Sequence, residues 1–284
     1  MNLEFQTKKG GTSLVISQKD LMISLRDLKV LNNLNPTFFL FWASIFLLIL
    51  STYGFWCWQW FQGECFCINL LSLYFLGTNL HEAAHQTAHP NRWVNDTLGY
   101  ISAFLLCFSF SVFKRVHIQH HAHVNDPLYD PDYFVSKGGP PWLMPIRFAA
   151  TEVFFFKHHL WRGNDLIEWL FNRLAIVGIV GLACYFKLLG LLMGLWFLPA
   201  FFVGLILGII AYLSHHPFGE RDRWKNTRAY PNTWLNWILL GQNYHLIHHL
   251  WVSIPWYRYQ TAYRISQPLL AAKGCQVPQR SVCT

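Results

Sequence analysis

The sequence predicts an all-α integral membrane fold with four transmembrane helices, interfacial helices and a cytoplasmic cap rich in histidine. Three observations predict it. The 284 residues are 53% hydrophobic and 18% aromatic but only 13% charged, well outside ordinary soluble usage. Uncharged apolar runs reach the ~20 residues a helix needs to cross a bilayer. And 21 of the 22 lysines and arginines fall in segments that four spans would place on one face, leaving Lys187 alone on the other.

The elements follow in order. Residues 1–35 are polar and mixed, with Lys8, Lys9, Lys19, Arg26 and Lys29, and read as a partly ordered arm. They show no cleavable signal pattern, so the first span is expected to act as the insertion signal. That span is Pro36 to Trp56, and the second, Cys65 to Leu80, is slightly short and runs directly into His81. Ile101 to Phe113 is apolar but too short to cross, which suits a re-entrant or interfacial segment. Crossing there would also put the first two histidine runs described below on opposite faces. Trp142 to Trp161 is interrupted by Pro145, Arg147 and Glu152, and is expected to be an amphipathic helix on the membrane surface. The third span, Leu174 to Phe186, becomes long enough once Trp169 to Phe171 are included, and Leu191 to Leu213 is the fourth. The bias of Lys and Arg then places both termini and the long middle loop in the cytoplasm. Residues 36–284 read as one domain, without internal repeats.

The formal charge of +8 raises the question of nucleic acid, but the basic residues are spread over loops facing the membrane, with no nucleic-acid motif beside them. Seven cysteines without a C-x-x-C pair argue against a disulfide framework.

Three runs hold eight of the fourteen histidines: His81-Glu-Ala-Ala-His85, His117-Ile-Gln-His120-His121 and His245-Leu-Ile-His248-His249. Residues three and four apart share one helix face, so each run points its imidazoles one way. Clustered imidazoles are transition-metal ligands above all. Eight are too many for one first-row ion and suit two, with positions left for water or oxygen. His81-Glu82-Ala-Ala-His85 alone also matches a zinc-protease helix, but that reading leaves the other six histidines unexplained. A non-enzymatic membrane haem or metal carrier is a further alternative, but haem ligation usually wants single histidines on separate helices, against the His-x-x-His-His doublets. His215 and His216 close the fourth span, as interface anchors or as part of a site. His89 continues the first run by one turn, either supporting a ligand or exposed. His158 and His159 are expected among lipid headgroups, and His123 turns away from the second run.

Longer strings carry a resemblance. His120-His-Ala-His-Val-Asn-Asp-Pro127, Asp130-Pro-Asp132, Arg223-Trp-Lys-Asn226, Gly241-Gln-Asn-Tyr-His-Leu-Ile-His-His-Leu-Trp251 and Ser253-Ile-Pro-Trp-Tyr257 resemble cyanobacterial-type β-carotene ring hydroxylases. These belong to the membrane di-iron desaturase and hydroxylase superfamily, and the similarity runs from about Asn79 to Tyr263. The resemblance implies a di-iron centre held by His81, His85, His117, His120, His121, His245, His248 and His249. His215 matches a further superfamily ligand better than His216 does. It also implies oxygen as co-substrate, with chemistry at the metal centre rather than on a catalytic side chain. Two departures stand out. Glu82 replaces the usual Asp, and Ala211 stands where relatives often place Asn or Asp.

The implied reaction is 3-hydroxylation of the β-rings of a carotenoid, from β-carotene through β-cryptoxanthin to zeaxanthin. A fatty-acyl desaturase or a carotenoid ketolase would use the same boxes. Electrons must come from outside, because no flavin, nicotinamide or iron–sulfur fingerprint is present, and a ferredoxin-like donor is the expected partner. Asp126, Asp130 and Asp132 either orient ligand imidazoles or form turns, and Asn243 either supports a ligand or caps a helix. Trp251, Trp256 and Tyr257 line a substrate channel or pack ordinarily. The expected home is the thylakoid or plasma membrane of a photosynthetic cell.

Overall fold

A computed structural model describes residues 4–9, 12–29, 31–137, 139–215 and 219–275. Strands β1 (Glu4–Lys9) and β2 (Thr12–Ser17) pair antiparallel, and helix α1 (Gln18–Asp27) follows. Next come α2 (Pro36–Cys57), α3 (Gln62–Ala84), α4 (Arg92–Leu105) and α5 (Phe110–Ala122). Short helices α6 (Pro131–Lys137), α7 (Met144–Ala149) and α8 (Thr151–Lys157) lead to α9 (Asp165–Tyr185). Then α10 (Leu189–Leu192) continues through a π-helical turn, Met193–Phe197, into α11 (Leu198–Ser214). Last are α12 (Thr233–Ile238), α13 (His245–Leu250) and α14 (Tyr259–Ala272). Among the described residues the long regular elements are thus helices, apart from one short hairpin.

These residues form two compact units. The larger comprises Asn32–His123 and Pro127–Tyr212; the smaller groups the N-terminal hairpin and α1 with Val124–Asp126 and the chain from Leu213 onward. In the smaller unit the Arg258 guanidinium donates to the carbonyls of Asp27 and Leu28, closing the end of α1.

In the larger unit, α2 shows what its solvent is. Asn35 caps its first turn by accepting the Phe38 N–H at 3.1 Å, with Pro36 preset for helix entry. Apart from Phe41, its buried residues are Thr37, Ser44, Ser51 and Gly54, while Phe39, Trp42, Phe46 and Ile49 face outward. Small and polar residues inside with large apolar ones outside is the reverse of a water-soluble helix, and is how membrane helices pack.

Three helical runs are long and apolar enough to cross a membrane: α2, α9 and Leu189–Ser214. The expected third span begins earlier than its apolar core, at Asp165. The expected second span, within α3, has the length at 23 residues but not the apolar character. It carries Asn69, Ser72, Thr78, Asn79, His81 and Glu82 as buried residues, because it packs inside the unit rather than against lipid. The fourth candidate is instead the α4–α5 pair, bent by 101°, as a broken span or a re-entrant loop.

That bend falls inside the apolar stretch Ile101–Phe113, and side chains satisfy the backbone groups it frees. Trp196 donates its indole N–H to the Leu105 carbonyl at 2.6 Å. Arg173 donates to the carbonyl of Cys107 and Asn172 to that of Phe108. Without water, such carbonyls need partners from the protein. At the start of α5, the Glu168 carboxylate accepts the N–H groups of Phe110 and Ser111 and the Ser109 hydroxyl. It caps a helix that carries three of the histidines. Glu168→Ala is expected to cost roughly 1–2 kcal/mol of stability, read as a lower thermal midpoint in detergent, with Glu168→Gln intermediate.

The single amphipathic helix expected over Trp142–Trp161 is instead three short pieces: a 3-10 turn at Pro141–Leu143, α7 and α8. Pro145 withholds an N–H from the first turn of α7. Arg147 is buried, not at the surface, where its Nε donates to the Val135 carbonyl at 2.8 Å. Beyond α8, His158 stacks on Phe154 with ring centroids 4.0 Å apart.

Candidate metal centre

The larger unit builds its histidine cluster from two helix ends. Helix α3 stops just before His85, because Gln86 adopts a left-handed φ of 60°. The Thr87 N–H then reaches back to the Glu82 carbonyl and the Gln86 N–H to that of Ala83, a Schellman closure. This leaves His81 and His85 one turn apart, with ring centroids 5.1 Å apart. Helix α5 brings His117 to 4.8 Å from both rings, and His121 to 4.7 Å from His85. Ligand atoms of His81, His85 and His117 all lie within 4.8 Å of one another. Gly99 lets α4 and α5 approach, since a side chain there would meet the Phe110 ring at 2.5 Å.

The smaller unit builds a second cluster. His215 follows α11 and pairs with Thr227 through an isolated β-bridge. His245, His248 and His249 share a face of α13, as the spacing predicts. The His215 ring lies 4.8 Å from His245 and 5.4 Å from His249, and ligand atoms of these three again lie within 4.8 Å of one another. Gly241 opens the turn before α13 at a φ of 86°. An added Cβ would come within 2.9 Å of Trp256 Cβ and Tyr259 Cδ2. Gly241→Ala is therefore expected to cost ~1–3 kcal/mol and to displace Tyr259, measurable as a lower thermal midpoint together with faster loss of metal.

Four of the rings meet a polar side chain at Nδ1. His120 Nδ1 meets Asp130 Oδ1 at 2.8 Å, and His248 Nδ1 meets the Tyr259 hydroxyl at 2.8 Å. His245 Nδ1 meets Gln242 Oε1 at 3.1 Å, and His81 Nδ1 meets Glu82 Oε1 at 3.4 Å. An acceptor at Nδ1 holds the proton there and leaves Nε2 as the free electron pair. The Nε2 atoms face one another: 3.2 Å for His117 and His121, 3.0 Å for His245 and His249. Two nitrogens bonded to one ion at about 2.0–2.1 Å sit about 3 Å apart, so the donor set fits a first-row metal.

A model of the fatty acid desaturase family matches residues 55–280. The chain belongs to the fatty acid desaturase family. It is thereby a multi-pass membrane protein of a di-iron oxidoreductase family. Among relatives, it is 28% identical over 264 residues to the zeaxanthin 4-ketolase of Chlamydomonas reinhardtii, covering 82% of this chain and 53% of that one. It is 25% identical to an sn-1 oleoyl-lipid 12-desaturase of Picosynechococcus, covering 68% of each. It is 28% identical to the dihydrorhizobitoxine desaturase of Bradyrhizobium elkanii, covering 67% of this chain and 63% of that one. The chain thus spans about half the length of the ketolase.

For this family member, the supporting residues expected from sequence divide. Asp130 and Asp132 both approach His120, the latter at 3.8 Å, and Asp130 Oδ1 also accepts the Asp132 N–H, so it orients a ring and forms a turn at once. Asp126 pairs with Arg221 at 3.0 Å. His89 is buried rather than exposed, and it does not continue the first run, because α3 has already ended. Its Nδ1 accepts the Asn91 N–H at 3.0 Å. Asn243 donates to the carbonyls of Tyr230 and Asn232 and so braces the preceding loop. Trp256 is 1% exposed and packs edge-on to Trp237, as core does. Trp251 stands 6.5 Å from the Trp224 ring, and Tyr257 lies under the Arg258 guanidinium. His123 sits 5.5 Å from the Tyr129 ring. His216 lies outside the described residues.

Sequence reasoning missed Gln242 and Tyr259. Gln242 precedes His245 by three residues, a spacing that places it beside that ring. Tyr259 is eleven residues beyond His248 on another helix, and no local signal marks it.

Proposed function

We propose that the protein is a membrane di-iron oxygenase that hydroxylates carbon 3 of the β-rings of β-carotene or a related carotenoid. The observation that carries this is the match to a zeaxanthin ketolase over 82% of the chain, joined to the hydroxylase-like strings around the second and third boxes. The proposed ligands are His81, His85, His117, His120, His121, His215, His245, His248 and His249. When bound, two irons supply the reduction of oxygen and the oxidation of an unactivated C–H bond, which no side chain can supply.

The chain's own part is to prepare that donor set. Asp130, Gln242, Tyr259 and Glu82 hold Nδ1 protons and present Nε2 lone pairs. Thr87 donates its hydroxyl to Glu82 Oε2 at 2.8 Å, which fixes the carboxylate toward His81. This use of Glu82 counts against a general base on a zinc-protease helix. Ala211, on α11, offers only a methyl group one turn before His215, so His215 works without the additional oxygen ligand of some relatives. Electrons come from a ferredoxin-like donor, to whose acidic surface the net charge of +8 is complementary, with both termini cytoplasmic in a thylakoid or plasma membrane.

A second reading, desaturation of a lipid acyl chain, is favoured by the oleoyl-lipid desaturase relatives. The test is expression in a bacterium engineered to make β-carotene, supplied with a competent donor, followed by pigment chromatography and lipid analysis. Hydroxylated rings support the proposal. Keto products, or unsaturated lipids with unchanged pigment, overturn it in favour of the sister activities.

A further inference from the structure

The stretch between Arg228 and Arg258 contains no Lys, Arg, Asp or Glu, although it belongs to no long apolar helix. Within it, Trp234 on α12 is 81% exposed and Trp237 is 56% exposed. Large indoles are rarely left in water, and they favour the boundary between headgroups and acyl chains, where the ring is apolar and its N–H stays hydrated.

Hydrogen bonds set the depth of this segment. The candidate span Leu189–Ser214 ends at Ser214. The Arg228 N–H donates to the Ser214 carbonyl at 2.8 Å, and the Tyr230 hydroxyl donates to the Leu213 carbonyl at 3.1 Å. Both contacts lie within the smaller unit and tie Tyr230 to Leu213 and Ser214, at the level where the candidate span ends. Four residues of chain keep Trp234 within about 14 Å of that level.

We propose that α12 docks on the bilayer surface through Trp234 and Trp237. The same segment is tied to the third histidine run. The Gly241 N–H donates to the Asn236 carbonyl, Asn243 bridges the Tyr230 and Asn232 carbonyls, and Trp237 meets Trp256. Lipid contact at α12 thus holds the third box at a set height above the acyl chains. This inference depends on membrane residence and is independent of which substrate is oxidised.

The test uses the full chain in nanodiscs of phosphatidylcholine and phosphatidylglycerol. Benzoylphenylalanine replaces Trp234, Trp237 or, as a control, the exposed Asp222, and adducts are mapped by mass after illumination. Lipid adducts at 234 and 237 but not at 222 are expected. Adducts to a second copy of the chain or to an added soluble donor, or none, overturn the proposal. Hydroxyl-radical footprinting of the unaltered protein gives a second measure. Trp234 and Trp237 are expected to be protected about as well as Trp42 of α2, and oxidation at the rate of a free peptide tryptophan overturns the proposal.

Discussion

His117→Ala is expected to abolish product formation and to strip metal from the protein. His117 stands 4.8 Å from both His81 and His85, so its loss removes one of three converging donors in the larger unit. His245→Ala is expected to do the same in the smaller unit, where that ring lies 4.8 Å from His215 and 4.6 Å from His249. The alanine variants leave the helices intact, because alanine is the best helix former. Elemental analysis of purified protein, beside pigment chromatography, checks both. A His117→Ala protein with full iron content and normal product would remove His117 from the ligand set. Substituting His158, which stacks on Phe154 away from either run, is expected to leave iron content unchanged.

Asp130 offers the second large effect and a way to separate its two roles. Its Oδ1 faces His120 Nδ1 at 2.8 Å and also accepts the Asp132 N–H at 2.9 Å. Asparagine keeps an oxygen for the turn but removes the charge that strengthens the imidazole as a ligand. Removing such an outer partner typically weakens metal binding by about 10- to 100-fold. Asp130→Asn is expected near the lower figure and Asp130→Ala near the upper one, read as metal lost to a competing chelator. If the Asp130→Asn protein holds metal as well as the native protein does, the carboxylate serves the turn alone. Tyr259→Phe tests the same logic at His248, with a smaller loss expected because the native partner is neutral.

What the sequence determined by itself was the class of solvent and the class of site. Composition and uncharged runs marked a membrane helix at Pro36 and another ending near Leu213, because bilayer thickness imposes a length that apolar residues must fill. Helical spacing put His117, His120 and His121 on one face, and His245, His248 and His249 on another, because that geometry is local. The extent of a polar helix inside a membrane protein escapes such reasoning. Cys65 to Leu80 reads as a slightly short span, whereas α3 runs for 23 residues, because its buried Asn, Ser and Thr residues lower the hydropathy without ending the helix.

Tertiary structure decided the rest. It ended α3 at His85 through a left-handed Gln86, which turned His89 away from the first run. It broke the Trp142–Trp161 segment around a buried Arg147, whose carbonyl partners lie eight and twelve residues away. It assigned Nδ1 partners, choosing Gln242 and Tyr259 over Asn243. A histidine's spacing says which face it occupies, but its tautomer depends on an acceptor brought by a different part of the chain. Only the folded chain supplies that contact, and it decides which nitrogen of each imidazole is left to bind a metal.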